Sequence, residues 1–90
     1  MPFYLISYDL RKVRDYEPVY ALLRSWKAAR VLESVWLVEL VGPAETVRNL
    51  LSAKMDANDG VFVIQLYPNS QWTTKNVQAA GAAWLQKHAT

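Results

Sequence analysis

Four residues within six positions could do chemistry together in this 90-residue sequence: Asp9, Arg11, Lys12 and Arg14. A carboxylate beside a cluster of cations can hold a divalent metal next to a phosphate. A hard cation such as Mg²⁺ prefers carboxylate oxygens and keeps several waters. The metal can then lower the pKa of a bound water for attack on phosphorus. One Asp does not fix such an ion well, whereas two, contributed by a symmetric dimer, could. Arg11, Lys12 and Arg14 would supply phosphate contacts, each adding to the salt dependence of binding. A plainer reading of the same residues is also open. Asp9 can end a strand and satisfy backbone donors in the following loop. The cations can form a solvated polar loop whose field Asp15 and Glu17 dilute.

Other chemistries find less support. The sequence has no Cys, which removes disulfides, thiolate metal sites and a Cys nucleophile. His88 is the one histidine and lies on an apolar helical stripe, where packing or a helix-end role explains it; zinc hydrolysis lacks its ligands. Ser7 and Ser34 have no His/Asp constellation to activate them. With Gly42, Gly60 and Gly81 as the only glycines, no glycine-rich phosphate loop exists.

The elements that must position Asp9 follow from hydrophobic pattern. Phe3 to Tyr8 is aromatic and aliphatic on both faces, as in a central strand covered on two sides, with Asp9 at its exit. Asp15 is an N-cap candidate and Pro18 suits a first helical turn. Val19, Leu22, Leu23 and Trp26 then form one stripe of a helix over about 16–28. The long apolar stretch from Val31 to Val41 is too long for one strand. Glu33-Ser34 near its middle predicts a tight turn between a strand at about 30–33 and another at about 36–41. Gly42-Pro43 starts a second helix, with Val47, Leu50, Leu51 and Met55 as its stripe. Asn58-Asp59-Gly60 predicts a turn, and Val61 to Tyr67 reads as a strand buried on both faces. Thr73 or Thr74 can cap a last helix, about 74–88, whose stripe is Val77, Ala80, Gly81, Trp84, Leu85 and His88. Small Ala80 and Gly81 allow close approach, with Trp84 as anchor.

The order β-α-β-β-α-β plus a helix predicts an α+β, ferredoxin-like chain of one domain over 1–90, its core about 3–67. The first and third strands would be central. The face not covered by the first two helices would need either a second subunit or the C-terminal helix, packed in cis or swapped. Four Trp and five Tyr in 52% hydrophobic residues also suggest surface buried against a partner. Trp26 and Trp84 read as core, Trp36 as facing either way, and Trp72 as surface, interface or a pin for the last helix. The net charge is +2, and the excess lies in residues 1–30, with six Lys and Arg against three acids. That is compatible with local phosphate contact and short of a broad basic face. The absence of a signal-peptide pattern or a long apolar run predicts an intracellular, cytoplasmic protein with no membrane span.

Tyr8-Asp9-Leu10 closing the first strand, then a helix, then Glu33-Ser34-Val35-Trp36 at the hairpin, resembles the small CRISPR-associated adaptation subunits of the Cas-two type over about residues 3–67. Virulence-associated protein D toxins are a related branch. The whole chain is similar to small proteins of the "SinR family", in which a Leu-Glu-Ser hairpin precedes a C-terminal Gly-Ala-x-Trp-Leu element, here Gly81-Ala82-Ala83-Trp84-Leu85. The Cas-two resemblance implies ferredoxin-like homodimers in which Asp9 is the metal-binding aspartate, paired across the dimer axis. It places Ser34 at the hairpin serine and Trp36 where Phe is usual. It implies a nucleic-acid-associated protein and a Mg²⁺-dependent endonuclease acting on RNA or DNA. The sequence departs from that family by having Trp72 and a helix in place of a fifth strand, and by its thinner positive charge. A non-catalytic dimeric module with a protein partner is the other reading.

Overall fold

A computed structural model of the chain describes residues 2–11, 16–67 and 71–88. Its elements are β1 (Phe3–Asp9), α1 (Glu17–Ser25), β2 (Ala29–Leu32), β3 (Val35–Glu39), α2 (Ala44–Ser52), β4 (Gly60–Leu66) and α3 (Ala79–His88). The strands form one antiparallel sheet in the order β2-β3-β1-β4, which makes the fold α+β with β1 and β3 in the centre.

Alternation along β1 sorts its side chains between two cores. Tyr4, Ile6 and Tyr8 point to one face, where Trp36 and Val38 of β3 join Val19 and Leu23 of α1 and Val47 and Leu51 of α2. On the opposite face Leu37 of β3 and Ala29 and Val31 of β2 pack with Trp84 and Leu85 of α3, and Phe3 and Leu5 border them. The C-terminal helix therefore covers its own sheet in cis. It seats on β2 at Gly81, where a Cβ would lie 2.6 Å from Val31 Cα. Trp72 packs against this second core and so helps pin the chain leading into α3.

Several boundaries differ from the sequence expectation. Helix α1 stops at Ser25, not near residue 28, because Lys27 turns left-handed at φ 60°. Its N–H donates to the Arg24 carbonyl and that of Ala28 to the Leu23 carbonyl, the paired bonds of a Schellman ending with Lys where Gly is usual. The hairpin turn falls at Glu33-Ser34 as expected, but β3 ends at Glu39, beyond which one further backbone bond, Leu40 N–H to the Pro2 carbonyl, ties it to the residue before β1. Residues 71–78 are irregular, with Asn76 at φ 58°, so α3 starts at Ala79 and neither Thr73 nor Thr74 caps it. The fourth strand is not buried on both faces. It is an edge strand, and on the α3 side Phe62 is 57% and Ile64 45% exposed, because α3 packs mainly on β2 and β3, meets β1 at Phe3, and does not cover these residues. The proposed N-cap Asp15 lies outside the described residues.

Candidate functional site

Asp9 is the last residue of β1, at the end of the sheet where the β2–β3 turn also lies. Its cross-strand partner on β4 is Gly60. The Asp9 side chain is 72% exposed, and its Oδ2 accepts a hydrogen bond from Arg11 Nε at 3.1 Å. Arg11 Nη1 donates to the Asn58 carbonyl at 3.1 Å, and the Arg11 backbone N–H donates to Asp59 Oδ1 at 2.9 Å. Asp59 is a structural carboxylate: Oδ1 also accepts the Tyr16 hydroxyl at 2.9 Å, and Oδ2 accepts the Asp56 N–H at 2.9 Å. It ties together the start of α1, the loop after Asp9 and the turn before β4.

Beside Asp9 opens a polar cavity of about 260 Å³, lined by Tyr8, Asp9, Leu10, Tyr20, Arg30, Glu33 and Ser34. Its wall is rigid for a physical reason. The Glu33 carbonyl accepts from the Tyr8 hydroxyl at 3.2 Å and from Arg30 Nε at 2.9 Å. The Tyr8 hydroxyl in turn accepts from Trp36 Nε1 at 2.9 Å, and the Tyr8 N–H donates to the Ser34 carbonyl at 3.2 Å. Arg30 lies over the rings of Tyr20 and Trp36, 5.1 and 5.3 Å from their centroids, so its charge is held by stacking as well as by hydrogen bonds. Burial pushes the Tyr8 hydroxyl above its usual pKa, against the opposing effects of the Trp36 hydrogen bond and the Arg30 charge. It therefore stays protonated and can keep donating to the carbonyl at neutral pH.

Of the residues singled out from sequence, Asp9, Arg11, Ser34 and Trp36 converge on this corner. Trp36 is buried on the helix side of the sheet, so it supports Tyr8 and Arg30 and does not offer a face for stacking on a base. Lys12 and Arg14 lie outside the described residues. His88 stacks edge-on with Phe3 and lies 4.7 Å from the Trp84 centroid, a packing role. Tyr8, Tyr20, Arg30 and Asp59 had no functional reading in the sequence. Arg30 is an unremarkable cation in the chain, and only the hairpin brings it beside Asp9.

Among the described residues no group of three or more His, Asp and Glu side chains could hold a metal. An apolar cavity of about 430 Å³ lies elsewhere, between α3, residues 71–77 and the open sheet face. Among the described residues no helix is long and apolar enough to cross a membrane. The chain matches no known protein-family model.

Proposed function

We propose that this chain is a Cas-two-like, nucleic-acid-associated homodimer with a ferredoxin-like core, and that its chemistry is metal-dependent hydrolysis of phosphodiesters in RNA or DNA, centred on Asp9. The observation that carries this reading is the Asp9 corner itself. An exposed carboxylate ends a central strand, an arginine of the same loop touches it, and a polar cavity with a stacked Arg30 and the Ser34 turn opens beside it. The ferredoxin-like assignment draws on the strand order β2-β3-β1-β4 with every neighbouring pair antiparallel; α3 is an addition to that pattern.

Mg²⁺ is commonly held by one or two carboxylates together with waters and substrate phosphate. One exposed Asp9 per chain fits such a site as half of a pair, with Asp9 of the partner subunit as the other half. When bound, the ion would acidify a water and polarise a phosphoryl oxygen. Asp9 would hold the ion. Arg11 and Arg30, with Lys12 and Arg14, would hold phosphate, and Tyr8 and Trp36 would keep the strand exit in place. Dimerisation through the uncovered half of the sheet draws support from Phe62 and Ile64. Phe62 pairs with Ser7, two residues before Asp9, so this apolar edge leads up to the carboxylate.

The test is cleavage of labelled single-stranded RNA and double-stranded DNA with Mg²⁺, with Mn²⁺ and with EDTA, beside Asp9→Asn. Metal-dependent cleavage lost in the variant is the expected result. Absence of cleavage in the dimeric wild-type protein would discard the nuclease reading. It would favour the second one, a non-catalytic dimeric module for a protein partner, for which the specific observation is the apolar cavity bordered by Leu5, Val35, Leu66 and Trp72.

A further inference from the structure

We infer that the apolar cavity between α3, residues 71–77 and the sheet is a binding site for a small, uncharged, largely apolar molecule. The site is separate from the Asp9 corner, with no lining residue in common. Its floor follows from strand alternation. Phe3 and Leu5 of β1, Val35 and Leu37 of β3 and Leu66 of β4 all line it. In the sheet register Leu5 stands opposite Leu37 and Phe3 opposite Leu66. Trp84 and Leu85 of α3 form one wall, and Trp72, Thr73, Thr74 and Val77 form the roof. The roof is tied at both ends. Trp72 packs against the core beneath α3, and the Gln78 N–H donates to the Val31 carbonyl at 2.9 Å. Between these ties Asn76, left-handed at φ 58°, keeps the chain out of a right-handed helix.

The lining specifies the ligand. Among the described residues around the cavity, none carries a carboxylate, an ammonium or a guanidinium group. His88 is the one with a basic nitrogen, and its ring packs on Phe3 and Trp84, with centroids 5.4 and 4.7 Å away. A charged ligand would give up its hydration there with no counter-ion in exchange. Water also gains little, because aliphatic and aromatic walls offer it few hydrogen-bond partners. An apolar molecule has the least hydration to lose. Gln71, Thr73 and Thr74 add neutral polar groups, so a single hydroxyl or carbonyl on the ligand is compatible with the site. The cavity of about 430 Å³ lies within the roughly 300–1,000 Å³ typical of small-molecule sites. Enclosure by floor, wall and roof favours such a molecule over a protein surface, which would meet only the mouth.

The experiment titrates the protein with N-phenylnaphthylamine, an uncharged fluorophore that brightens in apolar surroundings, and separately with its sulfonated analogue, anilinonaphthalene sulfonate. Wild type is compared with Val35→Trp, which fills the cavity from its floor, and with Phe62→Lys plus Ile64→Lys, which alters the exposed apolar edge outside the lining. Leu66→Trp fills the same space from β4 and serves if Val35→Trp does not fold. Wild type should bind the uncharged fluorophore saturably, with a dissociation constant on the order of 10 μM and about tenfold or more tighter than the sulfonate. The folded tryptophan variant should bind it about tenfold or more weakly than wild type, and the lysine pair should bind as wild type does. Undiminished binding by a folded tryptophan variant, or loss of binding in the lysine pair, would place the fluorophore on the open edge and overturn the inference. Equal binding of the two fluorophores would overturn the charge selection on which it rests. No saturable binding by wild type would overturn it outright and leave the cavity to the protein partner.

Discussion

Replacing Gly81 by Ala should destabilise the protein, although it improves helix propensity. In an exposed helix the change gains about 1 kcal/mol. Here the new Cβ would lie 2.6 Å from Val31 Cα, 2.7 Å from Val31 Cγ2 and 2.9 Å from the Arg30 carbonyl oxygen. Two of these three atoms are backbone and cannot rotate aside. Restoring ordinary contact requires α3 to lift from β2 by roughly 1 Å. That loosens Trp84 and Leu85 over Ala29, Val31 and Leu37. Overpacking of this kind costs typically ~1–3 kcal/mol, and three contacts below 3.0 Å place it at the upper end. Set against the propensity gain, the net loss is about 1–2 kcal/mol. Urea unfolding followed by tryptophan fluorescence reads this directly. With a slope of about 1 kcal/mol per molar for a small chain, the midpoint should fall by about 1–2 M. Ala83→Gly, at an exposed position of the same helix, should also destabilise, by about 1 kcal/mol through propensity alone. An unchanged or higher midpoint for Gly81→Ala would refute the seating of α3 on β2.

Lys27→Gly should raise stability by about 1 kcal/mol, since a residue at φ 60° with a Cβ carries left-handed strain that Gly avoids; thermal unfolding would show it. Trp36→Phe and Tyr8→Phe each break the hydrogen bond that supports the cavity wall, and each should cost about 1 kcal/mol or more. The double variant should lose less than the two single losses combined, because either change already removes the shared bond. The raised Tyr8 pKa implies a stability term that is complete below pH ~10, the unfolded tyrosine value. It declines as pH rises from there through the higher folded value, because the unfolded chain releases the proton first; pH-dependent denaturation with Tyr8→Phe as control should show that loss reduced. In the proposed homodimer, Phe62→Lys with Ile64→Lys should turn a wild-type dimer into a folded monomer by light scattering, since both side chains are exposed in the single chain; a wild-type monomer, or a dimer retained in the variant, would refute dimerisation through this edge.

The order of elements, the position of the β2–β3 turn and the two-sided burial of β1 were legible in the sequence. They follow from local rules: alternation, helical stripes and turn residues act over a few positions. The same rules misplaced the ends of α1 and α3, where neither Lys27 nor Asn76 carries the glycine signal of a left-handed residue. They also overstated the burial of β4, since Val61–Leu66 reads equally apolar whether or not a helix reaches it. At the candidate site, Asp9 stood out because a carboxylate after an apolar strand is visible in one dimension. Arg30, Tyr20 and Asp59 did not, since their relation to Asp9 exists only after β1 pairs with β3 and β4 and the hairpin brings β2 alongside β3. That Arg11 turns back onto Asp9, and that α3 covers half a sheet face and leaves Phe62 and Ile64 open, was decided by tertiary packing. Contacts between residues distant in the chain depend on how the elements are placed, and no short stretch of sequence contains that placement.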